Sequence, residues 1–195
     1  MTYFDDVAEN YDAASLAWPW SWLRKVESEA FLSVAGDLSN TKVLDLGSGT
    51  GYYTKIFLKL GAQHVTAVDA SRQMIATLGD DARITGLVGN AEDVRLEEKF
   101  QFISCAGLLE FVANPVRVLQ TARHHADAQT KLVILVPRNN PWGNCYRYFH
   151  HRHGLDISLF GESKIYNLAA ETGWQICKQR QVWPFTHIAN MMLQQ

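Results

Sequence analysis

The chain has 195 residues, of which 47% are hydrophobic and 19% charged, a composition that predicts one globular domain with a sizeable core. The net charge of −2 gives no electrostatic reason to expect nucleic-acid binding. No apolar run approaches the roughly eighteen residues of a membrane span, and the acidic N-terminus lacks a signal-peptide core. Three widely separated cysteines argue against a disulfide framework and predict a reducing, cytoplasmic location.

Residues 1–41 come first and are predicted to form a helical cap on a single domain that spans 1–195. From residue 42 onward, strands and helices alternate. Predicted strands cover 43–46, 64–69, 84–88, 100–105 and 131–136, and predicted helices start at Gly51, Ser71 and Asn114. A last helix over 163–172 precedes two paired strands over 174–182 and 187–193. Residues 138–160 form a long insertion after the fifth strand, of the kind that builds a lid or a substrate wall.

This alternation predicts an α/β fold, a Rossmann-like doubly wound sheet of seven mostly parallel strands with helices on both faces and a last antiparallel strand. Ligands of such sheets bind at the carboxyl ends of the strands. Asp45, Asp69, Asn90 and Cys105 all lie at or just beyond the ends of predicted strands. We therefore expect these four residues to converge on one edge of the sheet.

The segment KVLDLGSGTG, residues 42–51, predicts a ligand-binding turn. Its third glycine comes one residue too early for the dinucleotide fingerprint G-x-G-x-x-G, and Tyr52 fills the position that the fingerprint requires. The Gly-Lys-Ser/Thr sequence of a P-loop is absent. Asp45 would repel a pyrophosphate but suits an ammonium group. Asp69 can accept hydrogen bonds from both hydroxyls of a ribose. The two acids together therefore indicate a ligand with an ammonium group and a ribose, which fits S-adenosylmethionine.

Four motifs in this order resemble the class I S-adenosylmethionine-dependent methyltransferases: DLGSGTG at 45–51, VDAS at 68–71, GNAED at 89–93 and FISCAGLLEFV at 102–112. The N-terminal FDDVAENYD is similar to the opening of quinone-type and other small-molecule members of that family. The resemblance covers nearly the whole chain. It implies S-adenosyl-L-methionine as cofactor, S-adenosyl-L-homocysteine as product and a small, partly apolar or aromatic acceptor.

The resemblance also implies where the cofactor lies. The glycines let the backbone approach its methionine part, Asp45 faces its amino group and Asp69 takes its ribose hydroxyls. Asn90 bonds the adenine, Cys105 lines the floor below the sulfonium and Tyr11 closes over the site. The full implied set is Tyr11, Asp45, Gly47, Ser48, Gly49, Asp69, Ala70, Met74, Asn90, Ala91, Glu92, Cys105 and Ala106.

The acceptor side carries no motif. Glu110 is interpreted as a structural hydrogen-bonding residue, and candidates for a general base come from the insertion at 138–160. They are Tyr146, Tyr148, His150, His151 and His153. Adjacent histidines diverge and have no Cys, Asp or Glu partner at structural-site spacing, so no metal site is predicted.

Other functions stay open on the sequence alone. The segment 139–142 resembles the NPPY signature of methyltransferases that act on nucleic acid, but it follows the wrong strand, so a small-molecule acceptor and no nucleic acid are expected. One alternative is a catalytically silent methyltransferase-like subunit that binds the cofactor. A nicotinamide-dependent oxidoreductase is disfavoured by the glycine spacing. The oligomeric state is not predicted.

Overall fold

A seven-stranded sheet forms the centre of the computed structural model, which describes residues 20–194. Its strands are β1 (Lys42–Leu46), β2 (His64–Asp69), β3 (Ile84–Val88), β4 (Phe100–Ala106), β5 (Ala126–Pro137), β6 (Trp174–Val182) and β7 (Thr186–Leu193). The strand order is β3-β2-β1-β4-β5-β7-β6. β1 to β5 pair in parallel, whereas β7 is antiparallel to both β5 and β6. The predicted Rossmann-like α/β sheet, with an antiparallel strand at the end of the chain, is confirmed.

Helices cover both faces of this sheet, as predicted. They are α1 (Trp20–Ala35), α2 (Tyr52–Lys59), α3 (Arg72–Ala76), α4 (Pro115–His124), α5 (Pro141–Arg152) and α6 (Glu162–Glu171). Successive strand residues point to opposite faces. In β1, Val43 therefore joins a core layer with α1 and α2, and Leu44 joins the layer with α4 and α6. The predicted cap is described from residue 20 only, where it forms α1.

Local signals explain where several helices begin. Ser71 caps α3, because its Oγ accepts a hydrogen bond from the Met74 N–H at 3.2 Å. Asn114 caps α4 in the same way and is followed by a proline at the first helical position. Asn140 caps α5, since its Oδ1 accepts from the Gly143 N–H at 2.7 Å. α5 lies inside the predicted insertion, for which no helix is predicted.

β5 begins five residues before its predicted start at residue 131 (131 − 126 = 5). Its polar first part is held to the neighbouring strand, because Phe100 pairs with Ala126 across a register shift. The hydroxyl of Thr130 donates to the carbonyl of Phe100 at 2.6 Å. Pairing with β4 rather than local hydrophobicity therefore extends this strand.

Candidate functional site

The turn between β1 and α2 is fastened to the end of β2. The backbone N–H of Ser48 donates to the carbonyl of Val68 at 3.0 Å. The carboxylate of Asp69 accepts from the Gly49 N–H through Oδ2 at 2.9 Å. Its Oδ1 accepts from the Ser71 N–H at 2.9 Å. Asp69 thus joins the glycine turn to the start of α3, and its half-exposed carboxylate keeps lone pairs for further donors.

The three glycines of this turn all have positive φ, at 71°, 54° and 82°. A Cβ on Gly47 would lie 2.7 Å from Leu108 Cδ1, and one on Gly51 would lie 2.4 Å from Leu78 Cδ2. A Cβ on Gly49 would meet no atom within 4 Å. Packing therefore requires glycine at Gly47, where the Leu108 Cβ would also be only 2.9 Å away, whereas Gly51 would meet only the flexible end of Leu78. Gly49 faces open space in which a ligand can approach the backbone.

A buried acid lies at the end of β1, before this turn. Asp45 is 2% exposed, and its Oδ2 accepts a hydrogen bond from the Thr54 hydroxyl at 2.7 Å. Burial raises the pKa of Asp45 to about 6. Close by in sequence, the buried Ser48 Oγ has no hydrogen-bond partner among residues 20–194. An acid, an orphaned hydroxyl and an open glycine fit a ligand with an ammonium group.

The residues predicted to contact adenine follow β3. Asn90 is exposed, and its Oδ1 accepts from the Glu92 N–H at 3.0 Å. Ala91 is buried. The Glu92 carboxylate accepts from the Asn114 N–H at 2.8 Å, so this acid supports the start of α4.

The other predicted cofactor residues surround the same edge. Ala70 is exposed before α3, Met74 is buried within it, and Ala106 is half-exposed at the end of β4. Cys105 is fully buried, and burial raises the pKa of its thiol far above the usual range, which suits a wall residue rather than a nucleophile. Tyr11 lies outside the described residues.

Two of the five predicted base candidates lie on a different face of α5 from the rest. Tyr146 and His150 are half-buried one helical turn apart, with ring centroids 4.4 Å apart. The His150 ring also contacts Phe111, which follows β4, at 5.7 Å. The remaining candidates, which are exposed, are Tyr148, His151 and His153. Helical periodicity therefore places only Tyr146 and His150 towards the end of β4.

A buried acid, Glu110, and a half-buried acid, Glu27, form part of this region without having been assigned to it from the sequence. Glu110 is 5% exposed, burial raises its pKa to about 8, and its Oε2 has no partner within the described part of the chain. Glu27 on α1 accepts a hydrogen bond from the Thr186 hydroxyl, and burial raises its pKa to about 7. The sequence marks Glu110 as unusual, because it is an acid inside the apolar run GLLEFV. No local feature of the sequence marks Glu27.

Residues 20–194 contain no group of three His, Cys, Asp or Glu side chains arranged to hold a metal ion. None of the helices in this range has the length and apolarity needed to cross a membrane.

Comparison with known sequences gives a match over most of the chain. The profile of a family described as "Methyltransferase domain" matches residues 20–179. An uncharacterised protein of Methanocaldococcus jannaschii is 25% identical, over 93% of this chain and 85% of that protein. A ubiquinone biosynthesis O-methyltransferase of Xanthomonas oryzae pv. oryzae is 28% identical over 57% of this chain. The chain covers 49% of that enzyme's length, about half.

Solved structures share the fold. A chain from the complex of the Haloferax volcanii Trm112 methyltransferase activator has a TM-score of 0.84 and 13% identity, covering 99% of this chain and 98% of that chain. The magnesium protoporphyrin IX methyltransferase of Synechocystis PCC 6803, solved with S-adenosylhomocysteine, has a TM-score of 0.75 and 16% identity, over 98% and 97% of the two chains. At these identities the likeness establishes the fold alone.

Proposed function

The chain belongs to the methyltransferase-domain family, and from this premise we propose that it transfers a methyl group to a small, partly apolar acceptor. The predicted family, the enzyme class and S-adenosylmethionine as cofactor are confirmed by this membership. The acceptor class is our proposal. It is supported by the aromatic rings of Phe111, Tyr146 and His150 beyond β4. A relative named as a ubiquinone biosynthesis O-methyltransferase and a structural neighbour named as a magnesium protoporphyrin IX methyltransferase also support it.

The open face of Gly49, whose N–H donates to the Asp69 carboxylate, is the observation that carries the proposed methyl transfer. Asp45 and the Ser48 hydroxyl would hold the amino-acid part of the cofactor, and Asp69 would accept from its ribose. Asn90 and the backbone of Ala91 would hold the adenine. When bound, S-adenosylmethionine supplies an electrophilic methyl group on a positively charged sulfur.

The remaining chemistry belongs to the chain itself. Residues of the chain would orient the acceptor's lone pair towards that methyl group and exclude water from the site. Burial lowers the pKa of His150, so that its imidazole is neutral near pH 7. Its Nδ1 has no hydrogen-bond partner in the described part of the chain. His150 is thus our proposed proton acceptor for a hydroxyl or amine acceptor.

Calorimetry of the full chain with S-adenosylhomocysteine tests the proposal. We expect binding, and no heat at millimolar ligand would reject a cofactor-dependent function. Asp69→Ala should weaken binding about tenfold or more, because hydrogen bonds to a charged acceptor contribute about 1.5–3 kcal/mol. Asp81→Ala is the control, since Asp81 pairs with Arg83 on the surface away from the turn. Equal affinities of both variants would reject the role of Asp69.

A catalytically silent or partner-dependent subunit is the second candidate. The fold match to a chain solved with a methyltransferase activator supports it. A methyl-transfer assay over a broad acceptor panel, with the chain alone and with an added activator of that type, separates the two. Binding of S-adenosylhomocysteine without transfer to any acceptor would favour the silent subunit.

We also propose that residues 138–160 form the substrate wall of a single domain that includes 1–41 as a cap. The three free cysteines, Cys105, Cys145 and Cys177, support a reducing cytoplasm. A small-molecule acceptor rather than nucleic acid is supported by the net charge of −2.

A further inference from the structure

The segment that follows β3, residues 90–96, is hydrogen-bonded to α4 and its end at three places. We call it the adenine segment, because it begins with the residues proposed to hold the adenine. The Glu92 carboxylate accepts from a backbone N–H at the start of α4 at 2.8 Å. Two turns further along, the Thr121 hydroxyl donates to the carbonyl of Glu92 at 2.9 Å. Directly after the helix, Nε2 of His125 accepts from the Leu96 N–H at 2.9 Å.

The two hydrogen bonds of the His125 ring determine its protonation state. Nδ1 lies 2.7 Å from the carbonyl of Thr121, which can only accept, so Nδ1 carries a proton. Nε2 faces the N–H of Leu96, which can only donate, so Nε2 is unprotonated. The imidazole is therefore neutral in this arrangement. A second proton, on Nε2, would point at the Leu96 N–H and break that hydrogen bond.

The surroundings of His125 oppose this second proton. The ring is fully buried, and burial lowers its pKa. The basic groups that face it, His124, Arg95 and Lys99, lower the pKa further. The carbonyl of Thr121 and the carboxyl end of α4 act in the opposite direction, because both favour a cation. Within the described part of the chain, no carboxylate is hydrogen-bonded to the ring.

We propose that His125 is a positioning residue for cofactor binding, which holds the adenine segment through Leu96 and releases that end of the segment when its ring is protonated. The effect reaches the adenine through Glu92, whose N–H donates to Asn90 Oδ1 at 3.0 Å. Without the Leu96 bond, ordering the segment takes up more of the binding energy, so the cofactor binds less tightly. This inference rests on the proposed function.

Calorimetry of the full chain with S-adenosylhomocysteine, at pH 7.5 and at pH 5, tests the role of the ring. The pH range spans about 6.5, the ordinary pKa of histidine. In His125→Gln, the amide oxygen can still accept from Leu96 but cannot be protonated. Between the two pH values, the unmodified protein should lose about threefold or more affinity beyond the loss of this variant. Asp45 titrates in both proteins, so its contribution cancels.

Two further variants separate protonation from packing. His125→Phe keeps a ring of similar size but has no acceptor for Leu96, so it should bind S-adenosylhomocysteine weakly at both pH values. His124→Gln removes a neighbouring exposed histidine and should keep the full loss of affinity at low pH. Thermal unfolding confirms that each variant is folded. Equal losses of affinity in the unmodified protein and His125→Gln, or normal binding by His125→Phe at pH 7.5, would overturn the inference.

Hydrogen exchange of the Leu96 amide, measured by NMR, reports on the bond without any cofactor. The amide should be protected at pH 7.5 in the unmodified protein and in His125→Gln. At pH 5 its protection factor should fall about tenfold or more in the unmodified protein alone. Equal protection of both proteins at pH 5 would overturn the role of His125. If protection follows pH as expected but S-adenosylhomocysteine does not bind, the proposed function fails instead.

Discussion

Glu110 should make the stability of the folded protein depend on pH. Burial raises its pKa from 4.5 to about 8, so the folded state keeps a proton that the unfolded chain releases above about pH 5. Stability is therefore full at low pH and is lost as the pH rises through 8. Glu27 and Asp45, with pKa values raised to about 7 and about 6, act in the same direction.

We expect Glu110→Gln to reduce this dependence of stability on pH. Between pH 5 and pH 8 the unmodified protein should lose more free energy of unfolding than the variant, by a few kcal/mol, since each pKa unit is worth about 1.4 kcal/mol. Urea unfolding at the two pH values measures the difference. Glu29→Gln, at an exposed acid on α1, should follow the unmodified protein. Identical slopes for Glu110→Gln and the unmodified protein would contradict the raised pKa.

At the scale of single residues, the sequence predicts those functional residues that belong to local motifs. Asp45 and Asp69 are marked by strand ends and by their distance from the glycines, and the structure places both at the glycine turn. Glu27 is different, because its partner Thr186 is 159 residues away. Nothing near Glu27 in sequence indicates that contact, which exists only once α1 is packed against β7.

The glycine turn is the element whose conformation can be tested most directly. Gly49 and Gly154 both have positive φ, and a Cβ on either would meet no atom within 4 Å. Replacing either by alanine should therefore cost a similar amount of stability, about 1 kcal/mol, through backbone strain alone. Only Gly49→Ala should also weaken S-adenosylhomocysteine binding, because its methyl group would occupy the space of the ligand.

Thermal unfolding and calorimetry on the two glycine variants measure these effects. The result that would contradict the site is an affinity for Gly49→Ala equal to that of Gly154→Ala. In that case the open face of Gly49 would not be the surface against which the cofactor lies.

Element prediction succeeded where a start signal precedes an amphipathic stripe. Asn114 and the following proline start α4, whose apolar residues then face the core. The same pair of residue types starts α5 at Asn140, yet only Gly143 of that helix is buried. Without an apolar stripe, the pattern indicates an insertion and not a helix. The early start of β5 could not be predicted from the sequence either, because pairing with Phe100 and not hydrophobic periodicity determines it.

At the scale of the whole molecule, α1 ties the N-terminal part of the described chain to the last two strands. The amide of Asn190 on β7 donates to the carbonyl of Val34 at 3.2 Å. Arg180 on β6 donates to the Ser33 hydroxyl at 2.7 Å. Because α1 also carries Glu27, the packing of this helix determines where that acid lies and holds it at its partner Thr186.

Phe31 holds α1 in place and offers a test of how much this packing contributes to stability. Its side chain is fully buried, with ring centroids 4.8 Å from Tyr53 and 6.0 Å from Phe57. Phe31→Ala should lower the free energy of unfolding by about 3–5 kcal/mol, through lost burial and the cavity that remains. Trp22→Ala on the same helix, where the side chain is 51% exposed, should cost less than about 1 kcal/mol.

Urea unfolding measures both variants. The matched pair separates the effect of burial from that of the residue type, because both positions carry a large aromatic side chain on the same helix. A free energy of unfolding for Phe31→Ala equal to that of Trp22→Ala would contradict the role of Phe31 as the residue that holds α1 against α2.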